Sequence, residues 1–186
     1  QYMRNMLQLN NGNGTFSEIG QLAGISNTDW SWCPLFADFD NDGWKDLFVA
    51  NGYKTDITNL DFMTYGKRAL FMGTPDANRK ERLKMLQNYP GIYVSNYVYK
   101  NNQDLTFSDV SKIWGLDKPS YSNGAAYGDL DNDGDLDLVV NNIDAAALVY
   151  ENKTIKENHK TSLQMNLKGS RQNVNAVSAR IVLYSG

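Results

Sequence analysis

Two nine-residue stretches hold the residues best equipped for chemistry. Asp38-Phe39-Asp40-Asn41-Asp42-Gly43-Trp44-Lys45-Asp46 and Asp129-Leu130-Asp131-Asn132-Asp133-Gly134-Asp135-Leu136-Asp137 both read D-x-D-x-D-G-x-x-D. Carboxylates at this density repel one another unless a cation sits among them. Alternate aspartates in a loop can turn their oxygens toward one centre, and glycine at the sixth position permits the sharp turn. The seventh position then offers a backbone carbonyl, from Trp44 in one stretch and Asp135 in the other. Hard oxygen donors in such number suit Ca²⁺, which takes roughly 6–8 oxygens at about 2.3–2.6 Å, better than a transition metal. The expectation is two calcium sites. One is Asp38, Asp40, Asp42 and Asp46 with the Trp44 carbonyl; the other is Asp129, Asp131, Asp133 and Asp137 with the Asp135 carbonyl. An EF-hand is excluded, because it needs Glu at the twelfth position and a helix after it. Here the twelfth residues are Val49 and Val140, inside strand-like apolar runs, and Asp at the ninth position closes the site instead.

Little else points to catalysis. Cys33 is the sole cysteine, so an intrachain disulfide and a cysteine-based zinc site are excluded, and His159 is the sole histidine, so a Ser-His-Asp triad and a HExxH zinc site are all but excluded. Cys33 reads as a small buried hydrophobe and His159 as a surface residue near a domain junction. An acid or base outside the metal loops would have to come from Tyr, Lys or Glu in a cleft, and no second constellation of that kind is visible. No catalytic residue is therefore assigned. Trp32 and Trp114 read as packing residues and Trp44 as pointing outward, the best single candidate for ligand contact. Arg79, Lys80, Arg82 and Lys84 read as a solvated face. Asn13-Gly14-Thr15 and Asn152-Lys153-Thr154 match the glycosylation sequon, but turn chemistry suffices to explain the first.

The elements that position the clusters follow from an internal repeat. Residues 5–52 and 96–143 align without a gap at a constant offset of 91, with 17 of 48 positions identical. Each copy reads as strands: a short apolar run, a turn such as Asn10 to Gly14, an alternating run such as Thr15 to Ile19, and a buried-strand run after the Asp cluster. Between the copies, residues 53–95 differ in character. Asn59 to Phe71 and Asp76 to Asn88 carry helix signals, so a helical insertion is expected there.

Composition agrees with a chain that turns often. Of 186 residues, 17 are Asp against 4 Glu, with 22 Asn and 15 Gly. A pI near 5.1 argues against nucleic acid as a partner. Aromatic residues at 12% argue against disorder, and no apolar run is long enough to span a membrane. The ends, Gln1-Tyr2 and Ser185-Gly186, suggest a fragment of a longer, exported protein.

The Asp loops resemble those of FG-GAP/VCBS repeats, including the calcium loops of integrin α-subunit propellers. Asn96 to Asn102, Leu105-Thr106-Phe107, Trp114-Gly115-Leu116, Ser122 to Tyr127 and Asp129 to Asn142 are similar to the cartilage acidic protein-like ASPIC/UnbV family, as is the stretch from Asn158-His159 through Leu167-Lys168-Gly169 to Ile181. That family usually shows Asn-Arg and Ile-Gly-Ala where this chain has Asn173-Val174 and Val177-Ser178-Ala179. The resemblance implies an all-β fold with a helical insertion. Residues 1–157 would form a partial β-propeller of about two blades, and residues 158–186 the start of a C-terminal β domain. Residues 34–51 with 97–110 would make one blade and 125–151 begin the next, the missing blades coming from the rest of the parent protein. It also implies an extracellular or cell-surface protein, bacterial outer-membrane attachment included, with structural calcium and an unidentified protein or glycan ligand. The alternative is the propeller of a secreted carbohydrate-active enzyme such as a polysaccharide lyase.

Overall fold

The computed structural model describes residues 4–54, 91–154 and 165–184. Every named element among them is a strand: β1 (Gln8–Asn10), β2 (Phe16–Glu18), β3 (Ser31–Ala37), β4 (Asp46–Asn51), β5 (Val94–Ser95), β6 (Tyr97–Asn101), β7 (Phe107–Asp109), β8 (Pro119–Ser120), β9 (Ser122–Gly128), β10 (Asp137–Asn142) and β11 (Leu148–Tyr150). The repeat is reproduced strand by strand. Adding 91 to the bounds of β2, β3 and β4 gives the bounds of β7, β9 and β10.

The strands pair antiparallel. The four-stranded sheet runs β3-β4-β6-β7, a three-stranded sheet runs β9-β10-β11, and β1-β2 and β5-β8 are two-stranded. Residues 34–51 and 97–110 thus enter one sheet, as the sequence suggests, and 125–151 enter the next.

The sequence of β4 explains its central place. Leu47-Phe48-Val49-Ala50 is apolar at every position and buried throughout, which suits a strand covered on both faces. Side chains alternate across a strand. Phe48 and Ala50 therefore enter a core with Val98, Leu138 and Val140, which joins the four-stranded sheet to the β9–β11 sheet. Leu47 and Val49 enter a second core with Ala23, Ile25 and Tyr99, on the side of the β1–β2 hairpin. The four-stranded sheet is thus covered on one face by the β9–β11 sheet and on the other by Ala23 and Ile25, which follow β2. Fully burying a side chain the size of Phe48 or Val140 stabilises by about 1.5–3 kcal/mol.

The four-stranded and β9–β11 sheets are pinned by a bulge in β3 at Trp32–Pro34. The extra residue is Cys33, at φ +36°. Its half-buried thiol packs on the first core and accepts a hydrogen bond from the Ala125 N–H of β9 at 3.2 Å. In the hairpin, Asn10 Oδ1 accepts from Gly12 N, and Asn13 Oδ1 accepts from Thr15 N and Oγ1. The first sequon asparagine is therefore a turn residue.

One expectation needs correction. The helical insertion over 53–95 is not borne out: at its ends the chain is β. Tyr53 and Ile92 form an antiparallel bridge, and Val94–Ser95 pairs with Pro119–Ser120. The run Ile92-Tyr93-Val94 is β-branched and aromatic, which favours strand. Both expected helices and the basic cluster Arg79–Lys84 fall at 55–90, outside the described residues. Described residues 165–184 hold no named strand. Asn173 closes a turn there instead, its Oδ1 accepting from Val177 N and its Nδ2 donating to Val177 O. Val174, Val177 and Leu183 are left exposed.

Gly52 holds the approach of β4 to the β8–β9 corner. Its φ is +113°, and a Cβ there would lie 2.5 Å from Ser120 O and 3.2 Å from Ile92 O. Both the backbone angle and the space exclude a side chain. Gly52→Ala is expected to lower unfolding free energy by about 1–3 kcal/mol, read as a reduced urea midpoint at unchanged slope. An unchanged midpoint would contradict this account of the corner.

Candidate metal centre

The two Asp stretches are loops between paired strands, 38–46 joining β3 to β4 and 129–137 joining β9 to β10. Both follow one backbone path. Asn41 and Gly43 have φ of +55° and +91°, and Asn132 and Gly134 have +62° and +94°. This left-handed region is open to glycine and tolerated by asparagine. The path turns successive N–H groups inward onto the carboxylates. Asp42 N donates to Asp38 Oδ1 (3.0 Å) and Asp40 Oδ1 (3.2 Å), Gly43 N to Asp38 Oδ2 (2.9 Å), and Trp44 N to Asp42 Oδ1 (2.9 Å). The second loop repeats the pattern: Asp133 N to Asp129 Oδ1 and Asp131 Oδ1 (both 3.2 Å), Gly134 N to Asp129 Oδ2 (3.1 Å), and Asp135 N to Asp133 Oδ1 (3.2 Å).

Within this cradle the oxygens converge. Asp38, Asp40 and Asp42 each bring a ligand atom within 4.8 Å of the others, and so do Asp129, Asp131 and Asp137. The first group omits Asp46 and the second omits Asp133, so the two loops sample different parts of the expected ligand set. The donors are hard oxygens on a preformed turn, and these acidic clusters can bind a metal ion. Trp44, the candidate contact residue, is half exposed, whereas Asp135 at the same repeat position is fully buried.

The ninth-position aspartates have a further task. Asp46 is fully buried; its Oδ2 accepts from Phe39 N (3.1 Å) and its Oδ1 from Asn101 N (3.0 Å) at the end of β6. Asp137 does the same with Leu130 N (2.9 Å) and Asn152 N (2.8 Å) just past β11. Each asparagine answers with its amide, Asn101 Nδ2 to Lys45 O (3.0 Å) and Asn152 Nδ2 to Leu136 O (3.2 Å). An Asp–Asn clamp thus ties each loop to the next strand. Burial pushes the Asp46 carboxyl up to about 6; the N–H groups of Asn101 and Phe39 pull the other way, Asp40 adds to the rise and Lys100 opposes it.

Three contributors are not assigned to the loops by the sequence reading: Asn101, Asn152 and Lys100. The ammonium of Lys100 pairs with Asp40, and with Asp42 Oδ2 at 2.8 Å. Partial burial would lower its pKa, but the hydrogen bonds to Asp40 and Asp42 outweigh that and raise it. A signal exists in Val98-Tyr99-Lys100-Asn101 against Val149-Tyr150-Glu151-Asn152, where only the third residue changes, from Lys to Glu. The remaining candidates lie elsewhere. Trp32 stacks on Tyr53 and donates to Gly52 O, and Trp114 packs on the first core, both in packing roles. His159 is outside the described residues. Asn152 of the second sequon also bonds Phe39 O (2.6 Å) and is engaged in the clamp.

The sequence of both repeats matches a known repeat family. The family model described as the FG-GAP-like repeat matches residues 1–49 and 87–140, ranges that include both Asp loops, all of β3 and β9, and most of β4 and β10. No curated protein matches the chain. With more than half of its length covered by that model, the chain belongs to the FG-GAP-like repeat family, and its antiparallel sheets are those of a β-propeller-like repeat module.

Proposed function

We propose that this chain is a calcium-stabilised, non-enzymatic module of an extracellular or cell-surface protein that presents its propeller surface to a protein or glycan. The observation that carries the reading is the duplicated loop, with the same left-handed residues, the same inward N–H groups and three converging carboxylates in each copy, two of them at the same loop positions. Asp38, Asp40, Asp42 and Asp46 would hold one ion with the Trp44 carbonyl. Asp129, Asp131, Asp133 and Asp137 would hold the other with the Asp135 carbonyl. The ion supplies positive charge to a turn that otherwise concentrates negative charge, and the carboxylates that hold it also hold the backbone. That double use favours a structural ion over a catalytic one.

Repeats of this family are typical of extracellular and cell-surface proteins, which supports the localisation. Among the described residues no helix is long and apolar enough to cross a membrane. The likeness of residues 158–181 to the ASPIC/UnbV family supports a further β domain after a propeller unit over 1–157, whose missing blades a longer parent chain would supply.

Calorimetric titration of the chelator-stripped chain with calcium is expected to show two sites, one lost in Asp40→Ala and the other in Asp131→Ala. Absence of binding heat in the wild-type chain overturns the reading.

A further inference from the structure

We propose that Lys100 is a built-in counter-cation of the first loop, which calcium must displace from Asp40 and Asp42. The inference rests on the calcium reading above.

The ammonium of Lys100 reaches from β6 across to the loop and bonds carboxylates of two different aspartates, at the third and fifth loop positions. These are residues whose oxygens converge in the first cluster. A cation is therefore already seated against that donor set. Two consequences follow, with opposite signs. Without calcium, the lysine offsets repulsion among Asp38, Asp40 and Asp42 and holds the turn closed. With calcium, the lysine must give up two charge-assisted hydrogen bonds or leave its positive charge beside the ion. Both weaken binding at this loop, by roughly 10–100-fold for interactions of that strength.

The placement argues for a specific device. Lys100 precedes the clamp residue Asn101, so its backbone is fixed to the loop by the Asp46 bond at 3.0 Å. At the corresponding place before Asn152 the chain has Glu151, of opposite charge, within 3.9 Å of Lys153. The clamp is thus common to both loops, while the residue just before its asparagine changes from Lys to Glu.

The test uses Lys100→Met, which keeps most of the stem and removes the charge, and Lys100→Arg, which keeps the charge. Calcium titration in an Asp131→Ala background isolates the first loop. Lys100→Met is expected to tighten calcium binding there by roughly 10–100-fold, and to lower the melting temperature in chelator. Lys100→Arg should stay near the parent in both. Tighter binding together with lower calcium-free stability supports the inference. Unchanged or weaker affinity in Lys100→Met overturns it while leaving the calcium reading intact, provided the parent binds. A chain that binds no calcium with either residue at position 100 overturns both.

Discussion

Asp46→Ala is expected to lower the free energy of unfolding by about 2–4 kcal/mol, in chelator and therefore without any contribution from bound metal. The reason is geometric. The carboxylate is fully buried and accepts one backbone N–H with each oxygen, Phe39 N at 3.1 Å and Asn101 N at 3.0 Å. Alanine leaves those donors without their acceptor. A hydrogen bond to a charged group contributes about 1.5–3 kcal/mol, and the two together set the upper bound. The cost of burying the carboxylate, visible in its raised pKa, is relieved by the substitution and brings the net figure down. Asp46→Asn keeps the shape and one acceptor, so it should fall between wild type and alanine. Asp137→Ala should behave alike, since Leu130 N and Asn152 N occupy the same two places. Urea denaturation read by tryptophan fluorescence measures the effect. A loss under about 1 kcal/mol in both alanine variants would mean that the clamp does not hold the loops to their neighbouring strands.

How far the sequence could be read depends on the distance over which each feature is encoded. The Asp loops are local: Asn41, Gly43 and the alternating aspartates sit within nine residues, so spacing alone announces the turn and its donors. The repeat carried the strand limits with it, because β3 and β4 recur as β9 and β10 at one fixed offset. The clamp was not legible in that way. Asp46 meets Asn101 across 55 residues, and Asn101 looks like any turn asparagine until β6 is laid beside β4. Lys100 was missed for the same reason. The corner at Tyr53 and Ile92 falls inside the expected insertion over 53–95 because its pairing crosses the intervening segment, which local periodicity does not encode. At the C-terminal side, described residues 165–184 run through turns. Apolar residues such as Val177 and Leu183 favour strand only when another strand or layer covers them.

The same dependence of local charge on its surroundings makes calcium the strongest external lever on the fold. A ligand that binds only the folded state stabilises it by RT ln(1 + [L]/Kd), about 2.7 kcal/mol at 100 Kd. Extracellular modules commonly bind calcium at about 10⁻⁴–10⁻³ M, so 10 mM calcium lies at roughly 10–100 Kd and contributes about 1.4–2.7 kcal/mol per occupied loop. For a chain of this size each kcal/mol moves the melting temperature by about 2–4 °C. Calcium should therefore raise it by about 3–11 °C for one loop, and more if both fill. The comparison must be made at equal ionic strength, because added salt also screens the aspartates. Sodium chloride eases their repulsion diffusely, whereas an ion held by converging oxygens acts at far lower concentration. Asp131→Ala and Asp40→Ala should each remove one part of the calcium-dependent rise, and the double variant nearly all of it. A melting curve that is the same in calcium and in chelator would remove the metal from the account of stability. The duplicated turns would then stand on their N–H groups, the Lys100 ion pairs and the Asp–Asn clamps alone.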